Sequence, residues 1–184
     1  MKKIVMFVAL LLVAGMAAFA QDAKRYEIKS GIITMTSEMG SSTIYFDNYG
    51  AVQAQKMNMM GNEMIILNKD GKTYMINPGE KQVQEMPGGG MGGPTINFLA
   101  LTDKVKADNK IQELGKEKVL DRECTKYSIE TSMMGQTMKQ TVWVWKGITL
   151  KTAMDGGQFS FENAASKFEE NAKMPEGIFE VPKY

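Results

Sequence analysis

Short segments of alternating side chains, separated by tight turns, occupy the chain from residue 26 to residue 86. Ile44 and Phe46, for example, alternate with Thr43 and Tyr45. Residues 68–71 read Asn-Lys-Asp-Gly, and Asp-Gly supplies the positive φ angles that a two-residue hairpin turn requires. The regular spacing of such segments predicts an antiparallel sheet, arranged as a sandwich or a barrel.

The same two-residue period extends to both sides of residues 43–46. Three further strands are predicted, over residues 51–60, 63–67 and 73–77. Towards the N-terminus, the even spacing of Tyr26, Ile28, Ile32 and Thr34 predicts that they share one face of an extended segment.

A glycine-rich stretch separates the two halves of the chain. Residues 87–94 read Pro-Gly-Gly-Gly-Met-Gly-Gly-Pro, and because ordering five glycines in eight residues is entropically costly, a flexible loop is predicted. Residues 97–107 lack strand alternation, and Phe98, Leu99, Leu101 and Val105 suit one side of a short helix. Strands resume after it, over residues 111–120, 124–131, 137–145, 148–153 and 158–163.

Alternation in the second half separates tryptophan from valine. Trp143 and Trp145 fall on one face of their strand, and Val142 and Val144 fall on the other. The two tryptophans are therefore predicted to form part of one wall of the sheet. Residues 164–172 have a helix-like content of Ala, Lys and Glu, but nothing caps them and they continue a run of strands, so a strand is predicted there.

The first 20 residues have the three parts of a secretory signal peptide. Lys2 and Lys3 precede the apolar residues 4–14, and Ala18-Phe19-Ala20 gives the small-x-small pattern of a cleavage site. A permanent membrane span needs about 20 apolar residues, so a retained anchor is the weaker alternative. Cleavage after residue 20 leaves residues 21–184 as a single soluble domain that is exported, to the periplasm or beyond the cell.

The composition removes several classes of function. The 22 basic and 21 acidic side chains nearly balance, which argues against nucleic-acid binding. The chain has no histidine, so Ser-His-Asp and Cys-His nucleophiles and His-based zinc sites are excluded. The single cysteine, Cys124, is predicted to be a buried thiol, with an intermolecular disulfide or a reactive thiol as alternatives. We predict a protein that is not an enzyme and has neither a cofactor nor a metal site.

Methionine is unusually frequent, with 17 in the chain. Met57 and Met59 fall on one strand face, and Met60 and Met64 flank the turn that follows. Because the unbranched thioether adapts to varied apolar partners, these residues predict a pocket for a hydrophobic ligand. An ordinary core filled with methionine is one alternative. A copper site is another, because thioether sulfur favours Cu(I) and these four methionines are the densest group.

Three stretches in this order resemble a largely uncharacterised family of exported proteins within the lipoprotein localisation factor (LolA/LolB-like) superfamily. The first is residues 44–50, a strand that runs into Asn-Tyr-Gly. The second comprises residues 115–127 and residues 143–151, which begin Trp-Val-Trp-Lys-Gly. The third is residues 174–182, Met-Pro-Glu-Gly-Ile-Phe-Glu-Val-Pro.

The resemblance implies a mainly β fold, an unclosed antiparallel barrel curled around one or two short helices, with an apolar concave face. It also implies a binding protein that holds a lipid, an acyl chain or another hydrophobic ligand. A scaffold that binds another protein instead is left open. The residues predicted to line the pocket are Met57, Met59, Met64, Met75, Trp143, Trp145, Phe159 and Phe161.

Overall fold

The computed structural model describes residues 24–59, 61–86, 96–133, 136–155 and 160–184. Eleven strands form one antiparallel sheet. In chain order they are β1 (Gly31–Ser37), β2 (Gly40–Asp47), β3 (Val52–Met59), β4 (Asn62–Lys69), β5 (Lys72–Asn77), β6 (Gln82–Met86), β7 (Gln112–Val119), β8 (Arg122–Met133), β9 (Gln136–Trp145), β10 (Ile148–Asp155) and β11 (Ser160–Glu170). The predicted signal peptide, residues 1–20, and the predicted glycine-rich loop, residues 87–94, lie outside the described residues.

The strand order is β6-β5-β4-β3-β2-β1-β11-β10-β9-β8-β7, so the sheet is unclosed and ends at β6 and β7. Two meanders make it up, because β1–β6 and β7–β11 each pair strands that are consecutive in the chain. They join where β1 pairs with β11, from Gly31 opposite Glu170 to Ser37 opposite Asn163. The predicted fold class, a mainly β protein with an unclosed antiparallel sheet, is confirmed.

The hairpin turns form where the sequence predicts them. Asp70 and Gly71, between β4 and β5, have φ angles of 53° and 73°, as a turn of the Asp-Gly type requires. Lys146 and Gly147, between β9 and β10, have φ angles of 50° and 83°. A backbone with two successive positive φ angles twists with the flanking strands, so these short loops also fix the pairing of the strands that they connect.

The predicted helix over residues 97–107 is shorter and split in two. Phe98–Ala100 is a single turn of 3-10 helix, and the only α-helix of the described residues, α1, is Asp103–Asp108. The break lies at Thr102, whose backbone is extended and whose hydroxyl accepts a hydrogen bond from Val105 N at 3.2 Å. A residue that caps a helix in this way stands outside it, so α1 begins one residue later.

Residues 164–172 are a strand up to Glu170, as predicted, because β11 pairs with β1 on one side and β10 on the other. The predicted shared face of Tyr26, Ile28, Ile32 and Thr34 is wrong. Tyr26 and Ile28 belong to the same core cluster as Ile33 and the residues around it. The chain bends before β1 begins at Gly31, so the alternation does not continue from Tyr26 into the strand.

The sheet has two faces, which differ in how they are buried. The face that carries Ile33, Phe46, Leu150 and Trp143 is called the front face. These four residues belong to the largest core cluster of the described residues. Its centre is fully buried, since Phe46 and Leu150 have no exposed surface. Phe46 packs edge-on against Tyr26, with ring centroids 4.9 Å apart, so the N-terminal segment closes one end of this cluster.

The opposite, back face is covered near both ends of the sheet. Ala54, Leu67 and Ile76 pack beneath Ile178 and Phe179 of the C-terminal segment. At the other end, a cluster on β8 and β9 packs beneath the 3-10 turn and α1; it comprises Ile129, Val142 and Val144 with Phe98, Leu101 and Val105. In the described part of the chain, no helix is long and apolar enough to cross a membrane.

Candidate functional site

The two tryptophans share the front face, as predicted. Both belong to the cluster of Phe46 and Leu150, whereas Val142 and Val144 belong to the back-face cluster under α1. Trp143 is 5% exposed and Trp145 is half-buried. The alternation along β9 therefore holds through its last residues.

Charged side chains surround the Trp143 ring. The ammonium groups of Lys126 and Lys151 each lie 4.7 Å from its centroid. Lys126 pairs with Glu117 at 3.4 Å, and Lys151 pairs with Glu162 at 3.0 Å. Trp143 Nε1 is buried and has no hydrogen bond of good geometry within the described residues. Its interaction with Glu117 is nevertheless the largest of the effects that lower the pKa of the Glu117 carboxyl.

Trp145 is held in a similar way. Its ring stands edge-on to Phe168, with centroids 5.9 Å apart, and the Arg122 guanidinium lies 5.1 Å from its centroid. Arg122 also forms an ion pair with Glu170 at 2.7 Å. Both tryptophans are thus packed under basic side chains, an arrangement that stabilises the sheet through cation–π contacts.

Three of the predicted pocket methionines do lie together. Met57 and Met64 face each other across β3 and β4, and Met75 on β5 lies opposite Ile66. With Ile66 these residues form a cluster of their own, which we call the methionine cluster, and Met57 is 4% exposed within it. The register places the cluster on the front face, because Met57 lies opposite Ser42 in the same alternation as Ile44 and Phe46.

The methionine cluster belongs to a larger area without charge. By the register of β2–β6, every second residue from Ser42 onwards lies on the front face, and none of those residues is ionisable. Those with described side chains are Ser42, Ile44, Phe46, Gln53, Gln55, Met57, Asn62, Met64, Ile66, Asn68, Thr73, Met75, Asn77, Gln82, Gln84 and Met86. We call this area the uncharged surface. All charged side chains of these five strands lie on the back face, namely Asp47, Lys56, Glu63, Lys69, Lys72 and Glu85.

Buried amides and hydroxyls accompany the methionines. Gln55 is 2% exposed, and its Nε2 donates to Ser42 Oγ at 3.2 Å. Gln53 accepts a hydrogen bond from the Tyr26 hydroxyl at 2.9 Å, and Thr73 donates to Asn68 Oδ1 at 2.6 Å. Sequence reasoning missed these polar residues, because it searched for an apolar stripe. The absence of charge at alternate positions was the available signal.

The eight predicted pocket residues do not form one group. The methionine cluster is on β3–β5 and the tryptophans are on β9; β2, β1, β11 and β10 lie between β3 and β9. At about 4.8 Å for each strand, that separation is about 24 Å along the sheet. Phe161 is half-buried and lies opposite Met154 on β10. Met154 is three residues along β10 from Lys151, the residue that lies opposite Trp143. Phe159 and the side chain of Met59 lie outside the described residues.

Cys124 is a free, fully buried thiol in the cluster of Trp145 and Phe168. Burial raises its pKa above the ordinary thiol value. A thiol with a raised pKa is protonated at pH 8, so iodoacetamide should leave native protein unmodified and alkylate Cys124 only after denaturation. Intact mass with and without guanidinium measures this. Rapid alkylation of folded protein would contradict it and favour the reactive-thiol alternative.

Metal-binding side chains of the common kinds do not converge in the ranges that the structure describes. No three Cys, Asp or Glu side chains there are close enough to hold an ion together. The only sulfur-rich group among those residues is the methionine cluster. It contains Met57 and Met64 of the four residues of the predicted copper alternative, with Met75 in addition.

No family model matches the sequence, and no curated protein matches it. Among solved structures, an uncharacterized conserved protein from Thermus thermophilus is 8% identical with a TM-score of 0.56, covering 85% of this chain and 88% of that one. MucB is 13% identical with a TM-score of 0.54, covering 88% of this chain and 60% of MucB. A MucA/MucB complex from Pseudomonas aeruginosa is 11% identical with a TM-score of 0.50, covering 98% of this chain and 61% of the other.

The chain thus spans about 60% of the length of MucB. At identities this low, the similarity shows a shared fold but does not show a shared function. That fold is the one implied by residues 44–50, 115–127, 143–151 and 174–182, an unclosed antiparallel sheet with few and short helices. The chain therefore shares the fold of the Thermus thermophilus protein and of MucB, and this fold agrees with the one that the resemblance to LolA/LolB-like proteins implies.

Proposed function

We propose that the protein is an exported, non-enzymatic binding protein that holds a hydrophobic ligand, a lipid or an acyl chain, on the uncharged surface. The observation that carries this proposal is the methionine cluster, in which Met57, Met64 and Met75 come from three neighbouring strands to one place. Thioether side chains repack around flexible apolar groups, and no charged residue of β2–β6 shares their face.

The other elements of the proposal come from the sequence. Residues 1–20 have the pattern of a cleavable signal, which leaves a domain that begins at Gln21 outside the inner membrane. Without histidine the chain lacks the commonest general base at neutral pH, which supports binding over catalysis. MucB has this fold in a complex with MucA, so a protein is the competing kind of partner.

Saturable binding of an environment-sensitive, uncharged fluorescent alkyl probe to delipidated protein is the expected result. Met64→Ala and Met75→Ala should each weaken it, because each removes apolar contact area from the cluster. A loss of about 1 kcal/mol per substitution corresponds to about a fivefold increase in Kd. Both side chains are half-buried, so these variants keep more of the fold than a change at Met57.

Met39→Ala is the matched control, because Met39 is 48% exposed and lies outside the methionine cluster. Its affinity should equal that of the parent protein. Circular dichroism checks that all variants remain folded. If the parent protein is folded but shows no saturable binding, the proposed function fails and the protein-binding scaffold takes its place.

Cu(I) is a second candidate ligand, favoured by the convergence of three thioethers in the methionine cluster. Native mass spectrometry of protein purified from its own envelope separates the candidates, since a copper adduct and a lipid adduct differ in mass. A copper adduct that is lost in Met57→Leu, Met64→Leu or Met75→Leu would favour the metal. Leucine keeps the apolar volume and removes only the sulfur.

A further inference from the structure

We infer that the ligand of the uncharged surface is amphipathic, with an apolar chain and an uncharged polar group, such as a hydroxyl or an ester, that hydrogen-bonds to side-chain amides. This inference rests on the proposed function and names the chemical class of its ligand. It starts from the way in which amides and thioethers are interleaved on β2–β6.

Each of three cross-strand rows of the uncharged surface combines methionine with hydrogen-bonding side chains, either amides or hydroxyls. Gln55, Ile66, Met75 and Gln84 are successive partners from β3 to β6. In the row on one side, Ser42, Met57 and Met64 are partners. In the row on the other side, Gln53, Asn68, Thr73 and Met86 are partners. Directly paired side chains lie about 4.5–5.5 Å apart at Cβ, so the methionine cluster has hydrogen-bonding groups at its border.

Burial makes these polar groups informative. Gln53 and Gln55 are 5% and 2% exposed, and an amide buried among apolar side chains costs stability unless it is hydrogen-bonded. The bonds to Tyr26 and Ser42 each use one of the four hydrogen bonds that a carboxamide can form. A surface for pure hydrocarbon would need no amides, whereas a ligand with a hydroxyl or an ester can exchange bonds with them.

The same surface is unsuited to a charged head group. A carboxylate or an ammonium group placed against Gln55 would lose its hydration without gaining an opposite charge on β2–β6. The basic side chains that the strands contribute to the front face lie on β8–β10, in the other half of the sheet, and three of them, Arg122, Lys126 and Lys151, already pair with carboxylates. Charge selection against ionic lipids therefore follows from the chemistry of the lining.

Three amphiphiles with the same dodecyl-length chain test the inference: a monoacylglycerol, the fatty-acid carboxylate and an alkyl trimethylammonium. Each displaces an uncharged fluorescent alkyl probe from delipidated protein at pH 7.5. The monoacylglycerol should bind at least about tenfold more tightly than either charged ligand, because only its head group can be desolvated there without leaving an unpaired charge. Equal affinities for the monoacylglycerol and the carboxylate would overturn the inference while leaving the proposed function intact.

The amides are tested by replacing Gln55 and Ser42 together, as Gln55→Leu with Ser42→Ala, so that neither partner is left unsatisfied. The monoacylglycerol should lose about tenfold in affinity and the probe none. Gln112→Leu, at an exposed position of β7, is the matched control and should change neither. An unchanged monoacylglycerol affinity in the double variant overturns the inference. If the probe itself fails to bind to folded parent protein, the proposed function fails as well.

Discussion

Replacing Trp143 with alanine should lower the free energy of unfolding by about 3–5 kcal/mol, the usual cost of removing a large buried ring. The ring is 5% exposed and lies in the cluster of Phe46 and Leu150. Its loss opens a cavity at the front face and also removes the contacts with Lys126 and Lys151. Guanidinium denaturation followed by far-ultraviolet circular dichroism measures the change without relying on tryptophan fluorescence.

Trp143→Phe is the matched control, because it keeps an aromatic ring and should recover most of the loss. Trp145→Ala should cost less than Trp143→Ala, since Trp145 is only half-buried. Unchanged unfolding of Trp143→Ala would mean that the ring is not part of the core. The affinity for the uncharged fluorescent alkyl probe should equal that of the parent protein, because β9 is distant from the methionine cluster. A weakened affinity in folded Trp143→Ala would extend the pocket to both groups, as the sequence alone predicts.

Gly147→Ala should be the second severe substitution, with a loss of about 2–5 kcal/mol. Gly147 has a φ angle of 83°, where a Cβ costs about 1–2 kcal/mol. The added Cβ would also overlap the carbonyl oxygen of Arg25 and approach Leu99, and such overpacking typically costs about 1–3 kcal/mol. The backbone of Arg25 cannot move freely, because its N–H donates to Tyr49 O at 3.0 Å.

Gly177→Ala separates the two causes of that loss. Gly177 also has a positive φ angle, 73°, but a Cβ there would meet nothing within 4 Å. This control should therefore lose only the cost of about 1–2 kcal/mol for the left-handed backbone. Denaturation of both variants under the same conditions measures the difference. Equal losses at the two glycines would show that the N-terminal segment yields to the added methyl group.

Local chemistry is predictable from the sequence because each hairpin depends on neighbours in the chain. Asp70 and Gly71 set one turn, and the alternation of Trp143 with Val142 sets the two faces of β9. Register shifts between strands are harder to predict from the sequence. β10 shifts between Thr149 and Lys151, and β1 against β11 shifts at Thr34. Such irregularities depend on how distant strands meet, and no short motif indicates them.

The candidate site shows the same limit. Which methionines meet depends on the pairing of β3, β4 and β5, and the hairpin signals specify that pairing well enough to bring Met57 and Met64 together. Grouping them with Trp143 requires the order of the whole sheet, because β9 reaches its place only through β10 and β11. The buried amides of Gln53 and Gln55 were missed for a different reason. Polar residues at alternate positions of a strand are usually taken to mark its exposed face. In β2–β6, however, charged side chains mark the back face, and uncharged polar side chains are buried on the front face.

The pairing of β1 with β11 brings the first strand of the sheet next to the last. Every other strand pair is a local hairpin, which closes quickly, whereas this one closes a loop of nearly the whole described chain and must form late. Synthesis proceeds from the N-terminus, so β1–β6 can form first, but the outer edge of β1 then has unpaired backbone groups until β11 is available. The apolar side of that open strand, Ile33 and Met35, is the segment on which chaperone protection or misassembly during folding would act.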